Sequence, residues 1–194
     1  MTAWIQMVSD EDADKQLTDV LNEARTPHGT VDNVMRVHSL RPATMRGHVA
    51  LYRAALHDDD NTLPTWLQET VSSYVSILND CDYSLANHWA NARHLINDEA
   101  RADAIEKALH SRTLEPVFSG RELALLKYAE KLTCSPQQME EIDVVRLKEQ
   151  GLDDGQILEA NQIVAYFNYV NRLLNGLGVT TEGDVVGYYG SDKD

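Results

Sequence analysis

Apolar residues recur at intervals of three and four along most of the chain, which is the spacing of one face of an α-helix. No segment shows the sustained alternation of apolar and polar residues that marks a half-buried strand. Pro42 and Pro64 stand where two of the helical stripes begin, and proline is favoured at the first position of a helix. The pattern predicts an all-α fold.

Turn and cap signals divide the chain into further elements. Gly176 and Gly178 should end the last helix, because glycine commonly follows a helix C-terminus. The tail, 180–194, is predicted to be irregular. No repeat or low-complexity linker separates parts of the chain, so residues 1–194 are predicted to form a single domain. The other predicted helices lie behind a cap at 9–12, over 31–36, 81–95, 97–109 and 121–132, from Ser135 onward, and over 154–174.

The charge balance limits the partners of the chain. There are 17 Lys and Arg against 31 Asp and Glu, a net charge of −14. Nucleic acid and anionic membrane surfaces both require clustered cations, so neither is an expected partner. No apolar run reaches the roughly 18 residues of a membrane span, and the first residues lack a signal-peptide pattern, which predicts a cytoplasmic protein. Two cysteines cannot form a disulfide scaffold.

One segment combines residue types that carry chemistry. Cys81, Ser84 and His88 are spaced i, i+3 and i+7, so they share one face of a helix. Glu69 lies on the preceding helix among small serines, and a tight corner at 79–80 could bring its carboxylate toward Ser84 and His88. A thiol, a hydroxyl, an imidazole and a carboxylate together could move protons.

The same residues also have ordinary structural explanations. A lone cysteine in a helix is usually a small buried apolar residue, and a lone histidine is often a satisfied core side chain. A helix N-terminus lowers the pKa of a thiol such as Cys81, whereas Asp80 and Asp82 raise it. The spacing alone leaves both interpretations open. His38, His48 and Tyr83 could line the same pocket or simply be packed.

The segment resembles a known motif. Glu69-x11-Cys81-x-x-Ser84-x3-His88 is similar to the Glu-x11-Cys-x-x-Cys-x3-His pattern of alkylhydroperoxidase D-like proteins in the carboxymuconolactone decarboxylase superfamily. Residues 37–42 and 165–173 resemble the flanks of the peroxidase-related branch, and the likeness covers about residues 4–180. It implies an all-α bundle around an antiparallel helix pair, assembled as a homo-oligomer.

The resemblance also implies roles for the motif residues. Cys81 holds the resolving position, Ser84 the attacking position, and Glu69 and His88 the proton relay. A serine cannot be oxidised to a sulfenic acid, so dithiol chemistry is lost or impaired. Cys134 fits no motif position. The serine is compatible with an engineered trap, with a natural single redox thiol served by an external thiol, or with a protein that has left redox chemistry.

Three functions therefore stay open. The first is a thiol-dependent, alkylhydroperoxidase-like antioxidant protein with impaired dithiol activity, acting on a small hydroperoxide with an external thiol reductant. The second is a non-redox acid–base enzyme of the carboxymuconolactone decarboxylase type, using Glu69 and His88 on a ring-derived acid or lactone. The third is a non-catalytic oligomeric binding protein. No cofactor or metal is expected, since Cys81 and His88 supply only two candidate ligands.

Two further expectations concern assembly and thiol reactivity. The helix over 154–174 is apolar on more than one face, which predicts a homo-oligomer because one packing face would not cover it. Cys81 is expected to be the more reactive thiol, since it starts a helix, whereas Cys134 follows the end of one.

Overall fold

A computed structural model describes residues 2–189, and this part of the chain contains helices and no strand. The all-α prediction is therefore confirmed. A short 3₁₀ helix, Pro136–Gln138, lies between the seventh and eighth α-helices. The α-helices are α1 (Lys15–Glu23), α2 (Asn33–Arg36), α3 (Pro42–Leu56), α4 (Thr65–Leu78), α5 (Asp82–Ile96), α6 (Glu99–Ser111), α7 (Gly120–Cys134), α8 (Glu141–Glu149) and α9 (Asp154–Leu177).

Helix α4 is the centre of the bundle. Every residue from 67 to 76 is buried, because α5, α6, α7 and α9 all pack against this helix. Ser76 contacts Ser84 near the corner between α4 and α5, and Glu69 contacts His88 further from that corner along both helices. This order of contacts defines α4 and α5 as an antiparallel pair.

The corner between the two helices is tight. Asp80 has a φ of 49°, in the left-handed region that reverses the chain direction after a helix. The backbone N–H of Cys81 donates to the carbonyl of Ser76 at 2.9 Å. The Asn175 amide on α9 donates to the carbonyls of Asn79 and Asp80, at 2.9 and 3.3 Å. Cys81 is thereby fixed as the N-cap of α5, one residue before the helix begins.

Two predicted helix ends are wrong. The first helix is capped by Asp14, whose carboxylate accepts from the Leu17 N–H, whereas Ser9 bonds to Asp12 in a preceding turn. Helix α9 continues through Gly176, because a single glycine inside a packed helix costs only about 1 kcal/mol.

Gly178 does end α9, as predicted. Its φ is +59°, and a Cβ at this position would lie 2.2 Å from the Trp4 ring, so only glycine fits. Beyond it, no helix or strand forms as far as Tyr189, in agreement with the predicted irregular tail, whose last five residues lie outside the described part. The helix expected from Ser135 is divided between the 3₁₀ turn and α8, which has its own capping box at Glu140 and Asp143.

The apolar core has two parts. The larger lies around α4 and includes buried side chains from α5, α6, α7 and α9. The smaller lies between α1, the 31–35 segment and α3. Val34 and Tyr52 pack against both, so the two parts meet beside the start of α5. No helix among residues 2–189 has the length and apolar character needed to cross a membrane.

Helix α9 finds most of its cover within the chain. It packs against α3, α4, α5, α7 and α8, which bury apolar side chains on several of its faces. Leu158 and Tyr169 are left 59% and 44% exposed. Homo-oligomerisation therefore stays a prediction that depends on these exposed side chains and on the family resemblance.

Candidate active site

A buried carboxylate and an imidazole form the centre of the candidate site. Glu69 on α4 is 1% exposed, and its Oε2 lies 2.6 Å from Nδ1 of His88 on α5. The Asn91 amide, one turn further along α5, donates to Glu69 Oε1 at 3.2 Å. A carboxylate only accepts hydrogen bonds, so His88 donates from Nδ1, and in the neutral imidazole Nε2 is the acceptor. This pair matches the proximity expected from the corner at 79–80.

Ser84 faces a cavity, whereas Cys81 lies behind it. Ser84 is on the cavity wall and shares a 2.9 Å hydrogen bond with Ser76. Cys81 is 1% exposed and is not among the described wall residues. Burial raises the pKa of the Cys81 thiol, although hydrogen bonds from the Ser84 N–H and the Asn171 side chain lower it. The helix N-terminus does not prevail over burial.

The cavity beside Ser84 and His88 has a volume of about 240 Å³. Seven of its twenty wall residues carry aromatic rings, which suits a small planar molecule. Burial raises the pKa of Tyr52, Tyr83 and Tyr166, so these phenols stay protonated and uncharged at neutral pH. The aromatic wall residues are His28, Tyr52, His57, Tyr83, His88, Tyr166 and Tyr188.

The irregular tail covers this cavity. The Asp184 carboxylate accepts from the Tyr83 hydroxyl at 2.6 Å and from the Asn33 N–H at 3.0 Å. The Tyr188 N–H donates to Asn91 Oδ1 at 2.5 Å. The Tyr188 ring stacks on His57 with 4.9 Å between the ring centres. We call residues 184–189 the cover segment.

Sequence reasoning missed two polar groups of the wall. His57 Nε2 and Asp32 Oδ1 are buried, and neither has a hydrogen-bond partner within residues 2–189. Burial and the nearby Asp184 carboxylate raise the pKa of Asp32 to about 6. Burial also lowers the pKa of His57. No local spacing marks either residue, because Asp32 at the start of α2 and His57 at the end of α3 reach the cavity from parts of the chain distant from the motif.

Of the three further residues expected to line the pocket, one lies on the cavity wall and two lie behind it. Tyr83 is on the cavity wall. His38 and His48 are not among the described wall residues, although both are buried next to one another. His48 reaches the cavity indirectly, because its Nε2 lies 2.8 Å from the hydroxyl of the wall residue Tyr166.

Burial favours the opposite order of thiol reactivity to the one expected from the helix ends. Cys134 is exposed at the end of α7, whereas Cys81 is enclosed and its pKa is raised. We expect iodoacetamide at neutral pH to label Cys134 first, since the thiolate must be both formed and reachable. Mass-spectrometric mapping before and after unfolding measures the order. Faster labelling of Cys81 in the folded protein would contradict the buried position.

Among the described residues, no group of three His, Cys, Asp or Glu side chains is arranged to hold a metal ion. Side chains on the cavity wall that can donate or accept a proton include the hydroxyl of Ser84, the carboxyl group of Asp32, the imidazoles of His28, His57 and His88, and the tyrosine phenols.

Comparison with known proteins finds relatives only among solved structures. No protein-family model matches the chain, and no curated protein matches it with significance. An uncharacterized peroxidase-related protein from Silicibacter sp. is 20% identical, with a TM-score of 0.80 over 97% of this chain and 95% of the other. The alkylhydroperoxidase AhpD core protein from Ralstonia eutropha, also peroxidase-related, is 23% identical, with a TM-score of 0.75 over 95% and 94%.

A third structure of the same fold contains a ligand. It is a cysteine-to-alanine variant of the debrominase Bmp8 in complex with 2,3,4-tribromopyrrole. The identity is 17% and the TM-score 0.74, over 94% of each chain. Together with the antiparallel pair of α4 and α5, these likenesses confirm the resemblance at the level of the fold. The chain has the alkylhydroperoxidase D-like helical fold.

Proposed function

We propose that this protein is an acid–base enzyme for a small ring-containing molecule, built on the alkylhydroperoxidase D-like fold without dithiol peroxidase activity. The Glu69–His88 pair is the general base. Ser84, at the position of the attacking cysteine, contributes a hydroxyl to the binding site.

The geometry of His88 is the observation that carries the proposal. The 2.6 Å bond to Glu69 orients the ring and fixes the proton on Nδ1. In the neutral imidazole the nitrogen that can take up a proton is then Nε2, on a residue that helps to form the cavity wall. An imidazole held by a buried carboxylate is the arrangement that enzymes use to remove a proton from a bound substrate.

The cavity favours a small planar ligand. Four tyrosines and three histidines provide flat, weakly polar surfaces around about 240 Å³ of space. The tribromopyrrole complex of Bmp8 is an example of a small aromatic ring held by this fold. A ring-derived acid, lactone, phenol or azole would suit the lining of the present chain.

The thiol arrangement argues against a dithiol mechanism. The chain has two cysteines, and the exposed Cys134 at the end of α7 is not among the described cavity residues. Ser84 next to Cys81 cannot form the sulfenic acid that begins peroxide reduction by a thiol pair.

Peroxide reduction by the single thiol of Cys81 is the second candidate. The Ser84 N–H and the Asn171 side chain both bond to the thiol and favour its thiolate form. The likeness in fold to peroxidase-related proteins supports the same candidate. An external thiol would have to resolve the oxidised cysteine, since no second cysteine lies beside it.

The acid–base proposal is tested by exchange and turnover in deuterated water. Wild-type protein is incubated with small lactones, ring carboxylic acids, phenols and pyrroles, while NMR follows deuterium entry into C–H positions and product formation. We expect exchange or turnover of at least one compound, and loss of about two to four orders of magnitude in His88→Gln, the range of a general base.

Two controls separate the candidates. His94→Gln alters another histidine of α5 that is not among the described wall residues, and it should behave as wild type. A parallel assay follows tert-butyl hydroperoxide with dithiothreitol. Peroxide consumption that requires Cys81, together with no exchange in the ring compounds, would contradict the acid–base proposal and favour the single-thiol candidate.

A further inference from the structure

A continuous chain of hydrogen bonds runs from the cavity to the protein surface. The Tyr166 hydroxyl lies 2.8 Å from His48 Nε2, and His48 Nδ1 lies 2.9 Å from His38 Nε2. His38 Nδ1 lies 2.9 Å from the hydroxyl of Thr44. Tyr166 is on the cavity wall, and Thr44 is exposed in the first turn of α3. The two histidines between them are 7% and 2% exposed.

The bond at the surface end sets the direction of the chain. The Thr44 hydroxyl donates to the carbonyl oxygen of Arg41 at 2.8 Å, and a carbonyl can only accept. The Thr44 oxygen must then accept from the Nδ1–H of His38. In turn, His38 Nε2 accepts from the Nδ1–H of His48, and His48 Nε2 accepts from the Tyr166 hydroxyl. In the opposite direction Thr44 would donate its only proton to His38, so its hydrogen bond to the Arg41 carbonyl would be lost.

The chain needs neutral histidines, and the packing provides them. Burial lowers the pKa of His38, and burial together with the neighbouring His38 lowers the pKa of His48 to about 3. A neutral imidazole has one N–H and one bare nitrogen, so it can accept a proton on one side while it releases one on the other.

We propose that Tyr166, His48, His38 and Thr44 form a proton wire that carries a proton from a ligand in the cavity to solvent. This inference deepens the proposed acid–base function and depends on it for the identity of the reaction. It gives the cavity a second proton-transfer group in addition to His88.

One passage through the wire is balanced. The Tyr166 oxygen takes a proton from an O–H or N–H of the ligand while the Tyr166 proton moves to His48 Nε2. The proton on His48 Nδ1 moves to His38 Nε2, and the proton on His38 Nδ1 moves to the Thr44 oxygen. The original hydroxyl proton of Thr44 is released to water. The ligand becomes its conjugate base and one proton appears in solvent. The wire returns to its resting direction when the same steps run in reverse, so that a proton from solvent enters at Thr44, both imidazoles regain their Nδ1 proton, and Tyr166 passes one proton to the product in the cavity.

The resting direction also limits the class of ligand. Since the Tyr166 hydroxyl donates to His48, its oxygen offers only lone pairs to the cavity. The unpartnered Asp32 Oδ1 elsewhere on the wall is likewise an acceptor when ionised. The substrate should therefore carry a weakly acidic O–H or N–H, as a phenol, an enol or an azole does.

The wire is tested on the free protein by ¹⁵N NMR of the imidazoles. We expect His38 and His48 to be protonated on Nδ1 and neutral at pH 7. We also expect Thr44→Val to slow exchange of the His48 Nδ1 proton with water by about tenfold or more, because exchange would then require local opening of the structure. Thr44→Ser keeps the hydroxyl and should restore the wild-type rate.

Thr62→Val is the matched control, since Thr62 is also exposed but bonds to Glu159 instead of a histidine. A proton on Nε2 of either histidine, or an unchanged exchange rate in Thr44→Val, would overturn the wire. These measurements use no substrate. Failure of the wire is thus distinguishable from failure of the acid–base function, which the His88→Gln comparison tests separately.

Discussion

Replacing Glu69 with glutamine is expected to lower acid–base turnover by about 10⁴-fold while the fold is retained, by analogy with loss of the carboxylate from a Ser-His-Asp triad. Glutamine has nearly the shape of glutamate, but it places an NH₂ group where one carboxylate oxygen lies. Facing His88, this group would donate to Nδ1 and move the imidazole proton to Nε2. The ring would then present a donor to the cavity in place of the acceptor that a base requires.

The rate is measured on the compound with the highest turnover in the deuterium screen, and ¹⁵N NMR reports the His88 tautomer without substrate. Glu159→Gln changes a half-buried carboxylate that accepts from Thr62 and Leu63, and it should leave both readouts unchanged. Thermal unfolding verifies that the fold is intact. A folded Glu69→Gln protein with full activity would exclude the carboxylate–imidazole base.

Ser84→Cys is expected to create a dithiol redox centre with Cys81. The Cys81 thiol already accepts from the Ser84 N–H, so a sulfur at position 84 would be its immediate neighbour. A thiolate at this cavity-facing position would attack the peroxide, release the alcohol and become a sulfenic acid. Cys81 would then displace water and form the 81–84 disulfide, with Glu69 and His88 available to move the protons.

Consumption of tert-butyl hydroperoxide with dithiothreitol measures the gain, and mass spectrometry of the oxidised protein detects the disulfide. Ser72→Cys is the matched control, because Ser72 is a buried serine of α4 that bonds to Gln68 within its own helix. We expect activity in the first variant only. A folded Ser84→Cys protein without disulfide or peroxidase activity would show that the surroundings of the motif no longer support thiol chemistry.

The sequence contains enough local information to predict the elements of the bundle. Pro42 begins α3 as predicted, and Pro64 lies at the N-cap of α4. The prediction failed at the start of α1, where both Ser9 and Asp14 can act as caps and only packing selects between them. It failed again at Gly176, because tertiary contacts outweigh the small helix penalty of one glycine.

The candidate site was predictable only where neighbours in sequence are neighbours in space. Glu69 and His88 lie on consecutive helices joined by three residues, so their contact follows from the corner. His57 and Tyr188 come from α3 and the tail, and no spacing relates them to the motif. The burial of Cys81 depends on α9 packing over the corner, which local patterns do not describe.

The cover segment has a consequence for how such a protein could diversify. The Glu69–His88 pair lies on α4 and α5, and residues 67–76 of α4 are all buried, so substitutions in that stretch would disturb the core. Residues 184–189, by contrast, belong to no helix. Tyr188 can change in size without repacking the bundle, since a backbone N–H, that of Tyr188 itself, makes the bond to Asn91. Substitutions in the cover segment can therefore change which ligand the cavity selects while the Glu69–His88 pair stays unchanged.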